Sequence, residues 1–162
     1  MKTNVVAVIN QKGGTGKTTT TINLGSALSK LGKKVLLLDL DPQSNLSYSL
    51  AITSPNASLA DVFEGEKNIE DVLVEKDGLW IAPGSNALVD IEIALVTQPD
   101  REKFLKNILS ELKGFDYVLI DCPPSLSVLT LNALTAAHEV LIPLQMEVLT
   151  LQGLDQIMKT VQ

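Results

Sequence analysis

Residues 10–20 read NQKGGTGKTTT, a stretch that crowds glycine, lysine and hydroxyl side chains together. Glycines lack a Cβ, so successive backbone N–H groups can turn to one side and surround an anion. Lys12 and Lys17 add positive charge, and Thr18 and Thr19 add hydroxyls. The chemistry such a set serves is the grip of a polyphosphate. The common spacing G-x-x-x-x-G-K-[ST] fails at its first position, which is Gln11, whereas K-G-G-x-G-K-T fits Lys12 to Thr18. In that pattern Gly13, Gly14, Thr15 and Gly16 cradle the phosphates of a nucleotide such as ATP. Lys17 reaches the β- and γ-phosphates, the Thr18 hydroxyl ligates Mg2+, and Thr19 contacts the α-phosphate. The plain alternative is a glycine-rich turn that binds nothing; seven matched positions weigh against it. A dinucleotide fingerprint does not fit, because Gly14-Thr15-Gly16 is followed by Thr19 where that pattern needs Gly or Ala.

Two further blocks place acids at the ends of apolar runs. Residues 36–45 read LLLDLDPQSN, and residues 117–124 read YVLIDCPP. Carboxylates beside a triphosphate repel it unless metal or water lies between. Asp39 and Asp41 could otherwise be a pair of exposed loop acids next to a turn at Pro42. An apolar strand ending in Asp is common, but after a phosphate loop Asp121 is expected to hold Mg2+ through a water, since Mg2+ keeps much of its hydration shell. Pro123 and Pro124 would stiffen a loop able to sense the γ-phosphate.

Positioning these groups requires alternating strands and helices. Val5 to Ile9 reads as a buried strand, 10–16 as a loop, and a helix follows from Lys17 with Ile22, Leu24, Ala27, Leu28 and Leu31 near one face and Gly32 just past its end. Val35 to Leu38 is a second buried strand, completing a βαβ unit. Residues 42–58 read as loop with room for a short helix, and Ser58 as the cap of a helix over Leu59 to Phe63. Residues 64–78 are acidic and polar, weakly helical near Ile69 to Val74. Strands are expected at Leu79 to Ala82, Tyr117 to Ile120 and Val140 to Ile142. Helices are expected at 86–96, 100–112 and 127–136, with another from Leu149 onward. The polar groups gather where strands end, which is the signature of a doubly wound, mainly parallel α/β sheet flanked by helices.

The bulk numbers agree. The 162 residues are 45% hydrophobic, 20% charged and 4% aromatic, and they fit a single domain, 1–162, with a Val, Leu, Ile and Ala core. Cys122 is the only cysteine and cannot form an internal disulfide; a small buried residue in a reducing cytoplasm is the simplest reading. Neither a signal peptide nor an apolar run of the roughly 18 residues needed to span a bilayer is visible. Net charge is −6, which argues against a broad nucleic-acid surface. Residues 1–60 carry six lysines and two acids, and 61–162 carry seven basic and 17 acidic side chains. The basic N-terminal bias suits a polyphosphate site.

With Lys12 inside the loop, the segment resembles the deviant Walker A motif of the ParA/MinD family of P-loop NTPases, and of its Soj-like partitioning ATPases in particular. Residues 36–45, 117–124 and 146–154 resemble that family too, so the resemblance covers almost the whole chain. It implies that Lys12 contacts phosphate across an ATP-sandwiched homodimer, that Asp41 orients or activates the attacking water, and that Asp39 supports the magnesium site. It further implies chromosome or plasmid partitioning, a ParB-like activating partner and, in ParA-like members, non-specific DNA binding through later parts of a usually longer domain. A membrane helix of the MinD kind is not expected here. Two other readings stay open: a metabolic synthetase of the cobyrinate a,c-diamide synthase or dethiobiotin synthase type, which phosphorylates a carboxylate, and a module that binds nucleotide without turning it over.

Overall fold

The computed structural model describes residues 3–145 and 158–160. Six strands form one sheet: β1 Asn4–Val8, β2 Val35–Asp39, β3 Val74–Lys76, β4 Leu79–Ala82, β5 Tyr117–Asp121 and β6 Glu139–Leu141. Their order is β3-β4-β2-β5-β1-β6, parallel throughout except for the β3–β4 pair. Helices α1 Lys17–Lys30, α2 Asn45–Ser49, α3 Leu59–Phe63, α4 Leu88–Leu95, α5 Phe104–Glu111 and α6 Val128–Ala136 make the connections. The described residues thus have the doubly wound, mainly parallel architecture expected of them.

The central strands are apolar because both faces are covered. Every residue of β2 is buried, and on β5 only Tyr117 is not. One cluster, which includes Leu36, Leu38, Val118 and Ile120, packs under α3 to α6. The other, Val35, Leu37, Leu79, Ile81 and Leu119, packs under α1. Alternating strand residues feed alternating faces, as a two-unit side-chain period requires.

The seam of α1 differs from the expected one. Its fully buried positions are Lys17, Thr21 and Gly25, with Ile22, Leu24 and Leu28 half-buried, while Leu31 is 76% exposed. Gly25 explains the shift: a Cβ there would lie 2.8 Å from Leu37 Cδ2, so the helix lies close on the sheet at that point. The C-terminus follows expectation, with Gly32 at φ 77° and its N–H bonded to the Ser29 carbonyl.

Residues 69–78 depart from the sequence reading. Ile69–Val72 is one 3-10 turn, and the chain then enters β3, a strand the sequence reading lacked. Asp77 and Gly78, at φ 52° and 76°, close a two-residue hairpin into β4. Helices α4 and α5 begin two and four residues later than expected, and β6 is displaced by one residue. The helix expected from Leu149 lies mainly outside the described residues, of which 158–160 are helical.

Leu119 sits fully buried at the middle of β5, between β2 and β1. Leu119→Ala should destabilise the chain by about 3 kcal/mol, within the range for buried leucine truncation. A urea denaturation midpoint, compared with that of the parent chain, measures it.

Candidate functional site

Insertion of β5 between β1 and β2 brings three sequence-distant blocks side by side. Asp121 is the register partner of Asp39 on β2 and of Val8 on β1. The phosphate loop leaves β1 just beyond Val8, so its base stands next to both carboxylates. Neighbours in register on parallel strands share a face, so Asp39 and Asp121 point to the same side of the sheet.

The loop takes the shape that its glycines permit. Gly14 and Gly16 have φ 72° and 86°, in the left-handed region that favours glycine. Gly16 caps α1 without any side-chain bond, which leaves the first N–H groups of the helix to serve an anion. Asn10, buried at the root of the loop, accepts from the Lys12 N–H at 3.0 Å and donates Nδ2 to the Pro143 carbonyl at 2.7 Å. Thr15 Oγ1 donates to the Lys12 carbonyl at 3.3 Å, and Lys17 Nζ reaches the same carbonyl at 3.5 Å. Gln145 Nε2 donates to the Gly14 carbonyl at 3.1 Å.

A cleft of about 420 Å3 opens over the loop. Gly13, Gly14, Thr15, Gly16, Lys17, Thr18 and Thr19 line it, together with Asp41. These are the expected phosphate-facing residues and the expected water-orienting acid, so the structure brings them together. Lys12 is exposed on the same loop, outside the cleft lining. Gln43, Asn45, Ser49 and Pro124 complete the wall.

Asp39 and Asp121 are buried behind this lining, 0% and 1% exposed. Thr18 Oγ1 donates to Asp121 Oδ2 at 2.6 Å, tying the helix start to β5. Asp39 Oδ2 accepts from the backbone N–H and the hydroxyl of Ser47, at 2.8 and 2.6 Å. The other oxygens, Asp39 Oδ1 and Asp121 Oδ1, are buried without a hydrogen-bond partner among the described residues. Burial pushes Asp121 up to about 7; the Thr18 bond opposes this, Asp39 and Asp41 add to it, and Lys17 draws it down. Asp39 rises to about 6, again through burial first, with the Ser47 bonds opposing and Asp41 adding. Asp41 lies nearer the surface, its Oδ1 accepting from the Gln43 N–H at 2.9 Å in an Asx turn.

Two carboxylates that resist ionising, each with an unpartnered oxygen, suit a hard cation, and Thr18 supplies a third oxygen beside them. Among the described residues no group of three or more His, Cys, Asp and Glu could hold a metal ion. That fits Mg2+, which takes few protein ligands and keeps water and phosphate oxygens. Cys122 follows Asp121 and is wholly buried, as expected, with burial holding its thiol well above the usual range.

Sequence reasoning missed Asn10, Ser47 and Gly84. A Cβ on Gly84 would lie 2.6 Å from the Asp39 carbonyl oxygen, so this glycine lets the β4–α4 turn press against the carboxylate block. Asn10 carried a signal, a lone amide at the end of an apolar run. Ser47 and Gly84 carried none, because their roles exist only once β4 lies beside β2.

Comparison with known proteins agrees with this geometry. A family model described as an AAA domain matches residues 3–162. The chromosome partitioning protein ParA of Caulobacter vibrioides is 47% identical over 165 residues, covering 98% of this chain and 62% of the relative. The chromosome-partitioning ATPase Soj of Treponema pallidum is 47% identical over 157 residues, covering 95% and 62%. The chain therefore spans less than two thirds of the length of these relatives. Among solved structures, cobyrinic acid a,c-diamide synthase from Mycobacterium smegmatis, with bound ATP analog and magnesium, superposes with TM-score 0.95 at 45% identity, covering 99% of this chain and 67% of that one.

The raised carboxylates set a pH dependence. Between an unfolded value near 4 and a folded value of about 7, the folded chain binds more protons at Asp121 than the unfolded chain does, so stability falls as pH rises through that window. Asp121→Asn removes this contribution. In metal-free, nucleotide-free buffer, thermal melts from pH 5 to pH 8 should favour the variant over the parent increasingly as pH rises. A constant difference would contradict the assignment.

Proposed function

The chain belongs to the ParA/MinD family, in the company of ParA and Soj, and on that premise we propose that it is an ATP-binding and ATP-hydrolysing switch that serves chromosome or plasmid partitioning. The observation that carries this reading is the Thr18–Asp121 hydrogen bond at the base of a cleft walled by the phosphate loop. It links the two halves of a Mg·ATP site, the loop that grips phosphate and the strand end that meets the cation.

In this mechanism the amides of residues 13–16 and the start of α1 bind the phosphates, and Lys17 neutralises the β- and γ-phosphoryl oxygens. A bound Mg2+ would supply electrostatic stabilisation of the charge that develops on the phosphoryl group. Thr18 and Asp121 would hold it, with Asp39 behind them. Asp41 stands in the cleft wall, its Oδ1 fixed by the Gln43 N–H, and orients the attacking water. Lys12, exposed at the loop's rim, reaches the phosphates of a second copy, so that ATP drives homodimerisation and hydrolysis reverses it. The dimer, a ParB-like activating partner and a reducing cytoplasmic setting complete the proposal. Non-specific DNA binding would fall to parts of the longer relatives beyond this acidic stretch. No described helix is long and apolar enough to cross a membrane.

A second reading has one observation in its favour, the similarity to a structure named as a diamide synthase. A synthetase would phosphorylate a carboxylate and release little phosphate without one. Phosphate release from ATP with no added carboxylate favours the switch. A module that only binds would retain nucleotide and release no phosphate at all.

Three substitutions test the roles. Lys17→Ala should abolish nucleotide binding in calorimetry. Asp41→Ala should keep binding within a few-fold while slowing phosphate release about 100-fold or more, the scale of a lost general base. Lys12→Ala should leave nucleotide affinity near that of the parent yet remove ATP-dependent dimers from light scattering. Intact assembly and turnover in Lys12→Ala would rule out the trans-acting lysine.

A further inference from the structure

Ser47 is 2% exposed, and its hydroxyl is used twice. It donates to Asp39 Oδ2 at 2.6 Å and accepts from the Gly84 N–H at 3.1 Å. The Ser47 backbone N–H donates to the same carboxylate oxygen at 2.8 Å. One oxygen of Asp39 is therefore committed to α2, while Oδ1 has no hydrogen-bond partner among the described residues. Gly84 closes the third side, with no room for a Cβ against the Asp39 backbone. β2, α2 and the turn after β4 thus meet at one serine.

Helix α2 is the element that such a junction could move. It has five residues, and both of its ends lie beside left-handed backbone at non-glycine residues, Ser44 at φ 53° and Ala51 at φ 55°. That conformation costs such residues energy, and the surrounding contacts must hold it. Asn45 and Ser49 face the nucleotide cleft, and Asn45 and Tyr48 also line a second cleft of about 460 Å3 with Gly84, Ser85 and Asn86. Tyr48 is 73% exposed there. A shift of α2 would alter both clefts together.

We propose that Ser47 is the positioning residue that couples the cation site to α2. It holds Asp39 through Oδ2 and so leaves Oδ1 uncommitted, to support a divalent cation held by Thr18 and Asp121. It also transmits the state of that carboxylate to the helix that contributes Asn45 and Ser49 to the cleft. The proposal rests on the Mg·ATP reading above. The hydroxyl does this through two hydrogen bonds that an alanine lacks and a threonine retains, while alanine and threonine both keep the backbone N–H that bonds Asp39.

The experiment compares the parent chain with Ser47→Ala and Ser47→Thr, using ADP with and without Mg2+. Calorimetry reads nucleotide affinity, and hydrogen exchange reads the amides of residues 44–50. In Ser47→Ala the gain in ADP affinity given by Mg2+ should shrink about tenfold, with affinity in chelator unchanged. The Mg2+-dependent protection of residues 44–50 should be lost. Ser47→Thr should restore both. Gly84→Ala, which presses on Asp39 from the other side, should weaken the same Mg2+-dependent gain. An equal loss of affinity with and without Mg2+ in Ser47→Ala would mark a merely structural hydroxyl and overturn the proposal. Unchanged Mg2+ dependence and unchanged protection in Ser47→Ala would overturn it too while leaving the nucleotide reading intact. A parent chain that binds no Mg·ADP would sink both.

Discussion

Two carboxylates buried at the ends of adjacent strands, each with one oxygen that no described group satisfies, govern the rest of this structure. Burying a charge in that way is costly unless a partner arrives. The fold limits the cost by raising both groups toward neutrality and by giving one oxygen of each a short hydrogen bond, from the Thr18 hydroxyl to Asp121 and from the Ser47 hydroxyl and N–H to Asp39. Thr18 belongs to the phosphate-loop side of the site and Ser47 to α2. This buried charge therefore connects the loop to the sheet and the sheet to α2.

Strand order makes this possible. A chain running β1-α1-β2 could have set β2 directly against β1. Instead β5 lies between them, and Asp121 stands against both Asp39 and the root of the loop. Ligands of open α/β sheets bind beyond strand C-termini where connections diverge, and the cleft lies at that point. Helix α1 approaches the sheet closely at Gly25, against Leu37, and the β4–α4 turn approaches β2 at Gly84, where a Cβ would meet the Asp39 carbonyl oxygen.

Much of this architecture was legible in the sequence because the shape of a glycine-rich loop is local. Six loop residues from Gly13 to Thr18 face one cleft because backbone geometry over a few residues determines which way they point. The apolar runs at Val35 and Tyr117 named their strands because burial on both faces leaves no alternation to misread. The hairpin at Asp77-Gly78 was readable in principle, but β3 has only three residues and an exposed Glu75 at its centre, too little apolar pattern to announce a strand. The seam of α1 was misjudged for a different reason. Hydrophobic spacing selects the leucines, whereas tight packing on the sheet selects Gly25 and Thr21, which score as poor core residues. Ser47 and Gly84 acquire meaning only from long-range register, which spacing along the chain does not encode.

Asp39 and Asp41 carry the same chemistry two residues apart, and their surroundings differ in a way that suits the separate tasks proposed for them. Asp39 belongs to β2, sealed from water, with an elevated proton affinity and one oxygen committed to Ser47. Asp41 has left the strand, turned on its own Asx bond to Gln43, and entered the wall of the cleft. A residue meant to order water must meet water, whereas one meant to support a cation gains from a dry site, where attraction to the ion is less screened. Under the proposed mechanism, exchange of their positions would place the sealed acid where water is needed and the cleft-lining acid where a cation would be held. Leu40, fully buried between them, keeps the two environments apart, and its N–H bond to the Asp121 carbonyl extends the β2–β5 ladder up to the point where they separate.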